Sequence, residues 1–149
     1  MGMLDQLDLD AVKRLYRADL PVPVDVLNKT SELNEEEFRL IKCHPNLGVK
    51  IIEPINAFRS IRPIIAQHHE RFDGKGYPAG LAGEEIHQGA RILAVADVYD
   101  AISSDRPYRK GMLIEEVLGL IRSEAGGQFD PDIVEALLKV IAKDQQRAA

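Results

Sequence analysis

His68-His69-Glu70-Arg71-Phe72-Asp73-Gly74-Lys75-Gly76-Tyr77-Pro78 follows an apolar run from Ile61 to Ala66. The run reads as a helix, and the residues after it read as a glycine-punctuated loop. Two neutral imidazoles side by side are costly to bury unless a metal or a hydrogen-bond partner takes their nitrogens. Glycines next to them let backbone approach a ligand closely. Together these residues point to a metal centre beneath a loop that a ligand can reach.

Outward from this stretch the chain reads as helix throughout. Leu4 to Ala18 carries apolar residues at 4, 7, 11, 12 and 15, a helical stripe. Leu20-Pro-Val-Pro-Val24 ends it, because prolines two apart do not fit inside a helix. Asn34 before Glu35-Glu36-Glu37 is a helix start, with an N-cap residue and acids at the positive dipole end. Cys43-His44-Pro45 forces a kink or a new start. Further helices are expected over Leu47 to Ile55, Ile61 to Glu70, Gly89 to Ser104, Leu113 to Ala125 and Pro131 to Asp144. Residues 72 to 88 form an ordered surface loop, and Asp130-Pro131 is an N-cap followed by proline at the first helical position. No strand alternation or internal repeat stands out. The fold expected is all-α.

At 149 residues, the chain fits a single domain spanning residues 1–149, able to bury about 70% of its unfolded surface. With no Trp and 5% aromatics, its core must be aliphatic. A net charge of −5 gives the chain as a whole no attraction for DNA or an acidic membrane, so an anionic ligand needs a local basic patch. Arg106, Arg109 and Lys110 supply one, since Arg offers a planar pair of donors to phosphate oxygens. The lone Cys43 excludes an internal disulfide, reads as a small apolar helix residue and fits a reducing, cytoplasmic compartment.

Asp97 sits inside Ile92-Leu-Ala-Val-Ala-Asp-Val-Tyr-Asp-Ala-Ile102. A carboxylate in so apolar a helix is expensive to bury without a cation, a metal or several donors. Asp100, three residues on, shares its face. His44 precedes a proline at a helix break and, taken alone, is an ordinary surface or capping histidine. His87 reads as a solvated loop residue.

These stretches carry a resemblance. His68 through Pro78, Gly89-Ala-Arg-Ile-Leu-Ala-Val-Ala-Asp97-Val-Tyr-Asp100 and Ser104-Asp-Arg-Pro-Tyr-Arg-Lys110 resemble an HD-GYP domain. Val26-Leu-Asn-Lys29, Glu35-Glu-Glu-Phe38, His44-Pro45 and Gln128-Phe-Asp-Pro131 extend the likeness over about residues 20 to 142. HD-GYP proteins are bacterial, helical, metal-dependent phosphodiesterases that hydrolyse cyclic di-GMP to pGpG or GMP. The resemblance implies an HD-domain-like helical bundle with an ordered GYP loop, and N-terminal helices reduced or missing. It implies that His44, His68, His69 and Asp97 are metal ligands. It makes Tyr77, Asp100, Arg106, Arg109 and Lys110 ligand-binding residues, and the GYP loop a contact for signalling proteins. The divalent metal would be Fe, Mn or Zn, ions that imidazole and carboxylate donors suit.

One part of the pattern is absent. The family's His-Asp motif should fall within Arg14 to Asp19, which reads Arg14-Leu-Tyr-Arg-Ala-Asp19, and no histidine precedes His44. That leaves a three-imidazole remnant with one ion rather than two, or none. Two functions follow: a degenerate module that binds a cyclic dinucleotide or a partner protein with little or no hydrolysis, and an active cyclic di-GMP phosphodiesterase. The missing motif reflects either evolution or a chain that starts inside a natural domain. Apolar surface left uncovered by a short N-terminal region favours a homodimer.

Overall fold

The computed structural model describes Val26, Lys29, 31–105 and 110–148. The expected helix over 4–18, the proline break at 20–24, the Arg14–Asp19 segment, Arg106 and Arg109 lie outside the described residues. Among the described residues, six α-helices have defined bounds: α1 (Glu35–Lys42), α2 (His44–Ile52), α3 (Arg62–Gln67), α4 (Gln88–Ser103), α5 (Ile114–Ser123) and α6 (Pro131–Ala148). Two 3-10 turns join them, Asn56–Ile61 and Gly83–Glu85. No strand occurs among the described residues, and the architecture is all-α. None of these helices is long and apolar enough to cross a membrane.

The chain divides into two compact units, Met1–Ala66 and Gln67–Ala149. In the first, Asn34 caps α1 reciprocally. Its side chain accepts from the Glu37 N–H at 2.8 Å, and the Glu37 carboxylate accepts from the Asn34 N–H at 2.8 Å. Hydrogen bonding from Lys29 and the Asn34 amide hold the Glu37 carboxyl below its ordinary range. Pro45 then starts α2 where the sequence required a break, since a first-turn proline has no N–H that the helix needs. Cys43, expected inside a helix, is an exposed link between α1 and α2 whose thiol lies 3.4 Å from the Arg39 carbonyl.

In the second unit α4 packs on α5 and α6 around Val95, Val117, Ile121, Phe129 and Val134. This is the aliphatic core the composition demands. Asp130 caps α6 by accepting from the Asp132 N–H at 2.9 Å, and Pro131 opens the helix. The Asp130 carboxylate, 5% exposed, also takes an ion pair from Arg91 on α4. A buried pair of this kind ties the start of α6 to α4, because separating it leaves an uncompensated charge. The two helical segments that follow Cys43 end earlier than the apolar pattern suggested, whereas the last helix runs beyond the expected Asp144 to Ala148. α2 stops at Ile52, and α3 stops at Gln67, just before the histidine pair.

Candidate metal and ligand site

Because α3 ends at Gln67, His68 and His69 stand at the entrance to the loop rather than on a helical face. Their ring centroids are 4.1 Å apart with planes inclined by 41°. Such a pair presents imidazole nitrogens to one small region, as a divalent ion requires. The Tyr77 ring stacks on His69 from the far side of the loop, with centroids 4.9 Å apart and planes at 24°, and the Tyr77 N–H donates to the His69 carbonyl at 3.2 Å. Burial pushes the Tyr77 phenol upward, so its hydroxyl stays protonated at neutral pH. The bond from Tyr77 to Pro78 is cis.

Three acid–base residues of the motif build the loop. Glu70, only 4% exposed, accepts from the Ala79 N–H at 2.6 Å and the Leu81 N–H at 3.1 Å. Arg71 grips both oxygens of Asp73, at 3.0 and 2.9 Å, and reaches Gln128 at 3.3 Å. That guanidinium, helped by the Lys75 amide, holds the Asp73 carboxyl down at about 2. The Phe72 and Asp73 N–H groups donate to the Gln128 and Gly127 carbonyls, which docks the loop base on the turn between α5 and α6. Gly76 has to be glycine here. A Cβ would lie 2.3 Å from the Arg71 nitrogen and 2.5 Å from the Glu70 Cα.

In the first unit, His44 opens α2 with Nδ1 2.7 Å from the Ile41 carbonyl. A carbonyl there fixes Nδ1–H, so Nε2 carries the lone pair that a metal would use, the arrangement common among ligating histidines. On α4, Asp97 and Asp100 lie one turn apart and both are exposed. The desolvation argument that singled out Asp97 therefore does not apply to it, because its stretch of α4 is open to solvent; Ile92, on the same helix, is 50% exposed. The Asp100 carboxylate accepts from the Ser104 hydroxyl at 3.1 Å.

Residues 4–133 match the HD domain family. The cyclic di-GMP phosphodiesterase response regulator RpfG of Xanthomonas campestris is 42% identical over 129 residues, 85% of this chain and 34% of its own. A cyclic di-GMP phosphodiesterase of Pseudomonas aeruginosa is 42% identical over 123 residues, 82% of this chain and 30% of its own. The chain belongs to the HD domain family as an HD-GYP domain. The crystal structure of a cyclic GMP-AMP-specific phosphodiesterase of Vibrio cholerae shares its fold, with a TM-score of 0.57 at 20% identity, over 94% of this chain and 41% of that one. The HD-GYP domain thus spans about a third of the two curated relatives.

Beyond the end of α4, the Gly111 N–H donates to Asp105 at 2.7 Å and the Met112 N–H to the Ile102 carbonyl at 2.9 Å. Lys110, directly before Gly111, is exposed. The roles of Glu70 and of the Arg91–Asp130 pair were not legible in the sequence, because their partners are backbone groups or residues distant in the chain, and that of Asp73 was missed although Arg71 stands only two residues before it. Sequence reasoning also passed over His87, which is exposed but caps α4 by accepting from the Gly89 N–H at 3.0 Å. Its signal was available, as a polar side chain immediately before a long apolar helix is where a cap is wanted.

Proposed function

We propose that this HD-GYP domain binds a cyclic dinucleotide, cyclic di-GMP foremost, and signals by binding with little or no hydrolysis. The observation that carries this reading is Arg14-Leu-Tyr-Arg-Ala-Asp19, which stands where the HD-GYP pattern has its His-Asp pair. Without that pair the second half of a two-metal centre lacks its ligands. We take residues 1–149 as one domain, a reading the family match over 4–133 supports.

In this reading His44, His68 and His69 hold one divalent ion, Fe, Mn or Zn, and Asp97 is a ligand from the other side of the centre. The donor chemistry fits. Neutral imidazoles suit these metals, and the ring pair at 4.1 Å supplies two of them side by side. A bound ion polarises a phosphoryl oxygen and lowers the pKa of water. The chain's own residues do the rest. Arg106, Arg109 and Lys110 neutralise the phosphates, Tyr77 offers a neutral phenol and a ring face, and Asp100 lies one turn from Asp97 toward the basic turn. The exposed rim of the loop, Lys75 with Pro78 to Gly80, is a contact for signalling proteins. A homodimer and a cytoplasmic location complete the proposal.

The relatives favour a second reading, active phosphodiesterase, since two cyclic di-GMP phosphodiesterases match at 42% identity. One experiment separates the two. Protein loaded with Mn2+ or Fe2+ is titrated with cyclic di-GMP in a calorimeter, and the mixture is then chromatographed for pGpG. Our reading expects binding that weakens with salt and in Arg106→Ala, and no pGpG. Metal-dependent pGpG that disappears in His69→Ala would establish the enzyme. Absence of binding would leave only a protein-docking role.

A further inference from the structure

Glu70 is acidic, buried and placed between His69 and Arg71, yet it faces neither a metal-ligand role nor a basic side chain in its hydrogen bonds. Its carboxylate accepts from N–H groups on the returning limb of the loop, Ala79 at 2.6 Å and Leu81 at 3.1 Å. The outgoing limb is held separately, by Asp73 accepting from the Lys75 N–H at 3.1 Å. Between the two limbs lie Gly76, packed directly on the Glu70 and Arg71 backbone, and Tyr77, stacked on His69. A buried carboxylate is tolerated only while donors occupy its oxygens. The returning limb supplies those donors, so it cannot lift away without stranding the charge.

We propose that Glu70 is a positioning residue, a latch that holds Tyr77 on His69 and thereby sets the orientation of the His69 imidazole. This rests on the metal-binding reading for its consequence but not for its geometry. The latch acts on the loop through Ala79 and Leu81. The loop acts on the site through the Tyr77 ring and the Tyr77 N–H bond to the His69 carbonyl. A ligand that contacts Tyr77 would therefore meet a histidine already aligned.

The test compares wild type with Glu70→Gln, which keeps the shape but turns one acceptor into a donor facing an N–H. Amide exchange at Tyr77, Ala79 and Leu81, the nuclear Overhauser contact between the His69 and Tyr77 rings, and Co2+ affinity are followed together. The latch predicts exchange at these amides rising by about tenfold or more with the helices still protected. It also predicts loss of the ring contact and Co2+ binding weakened by about tenfold. Faster exchange at Ala79 and Leu81 with the ring contact and Co2+ affinity unchanged would overturn it, leaving Glu70 as loop support alone. If wild type binds no Co2+, the metal reading fails, and the exchange and ring-contact results still decide the latch. Should Glu70→Gln not fold, wild type decides. Ala79 and Leu81 amides as protected as those of α4 support the latch, and exchange at free-chain rates overturns it.

Discussion

Glu70 and Asp97 are carboxylates in neighbouring parts of the sequence with opposite fates. Glu70 follows two histidines at the mouth of a glycine-rich loop and is buried, while Asp97 sits among Val, Ala and Ile on α4 and is exposed. The hydrophobicity of the flanking residues pointed the other way. What buries Glu70 is a supply of donors, the Ala79 and Leu81 N–H groups that the loop brings back over it. What exposes Asp97 is the helix itself. α4 directs Val95 into the core against α5 and α6, and the residues one and two positions on turn outward. Burial of a charge follows from available partners more than from apolar neighbours.

The comparison breaks most visibly by truncation. Glu70→Ala should lower unfolding free energy by about 3 kcal/mol, because two charge-assisted hydrogen bonds are lost and two loop N–H groups must find water. Urea denaturation of the variant measures it. Gly76→Ala comes next, at about 2 kcal/mol, since its methyl would press on the Arg71 nitrogen and backbone has to give. The same denaturation series would show a smaller loss if the loop simply slides aside.

A milder effect sharpens the picture of the loop's outer clamp. The Arg71 guanidinium depresses the Asp73 carboxyl to about 2 from an ordinary 3.8. A depressed acid stabilises the fold above its unfolded value, and that contribution is lost as pH falls toward the folded value. Wild type should therefore lose stability between about pH 4 and pH 2 more steeply than Asp73→Asn, as thermal midpoints across that range would reveal. Equal slopes would mean that the Arg71–Asp73 clamp is not formed in solution. At the bottom of the scale, Asp97→Ala should stay within about 0.5 kcal/mol of wild type when the same denaturation assay is run on metal-free protein with chelator, as an exposed surface change does.

The helix boundaries that sequence reading located best were those written in local chemistry. Asn34 with its three glutamates, the His44-Pro45 restart and Asp130-Pro131 each need only residues within one turn, and each appears where expected. The loop and its histidine pair were legible for the same reason. The Glu70 latch, the docking of Phe72 and Asp73 on Gly127 and Gln128, and the Arg91–Asp130 pair were not. They join residues that only the packed chain brings together. Asp97 misled because a carboxylate in an apolar helix looks buried until the exposed side of that helix is seen.

The claim that the histidines form a metal centre is the one to test most directly. Metal per chain would be determined by elemental analysis of protein purified without chelator and without oxygen, beside His68→Ala and His69→Ala. About one equivalent of Fe, Mn or Zn in wild type, lost in both variants, is the expected result for a three-imidazole site. Wild type free of metal, or metal retained in both variants, would contradict it.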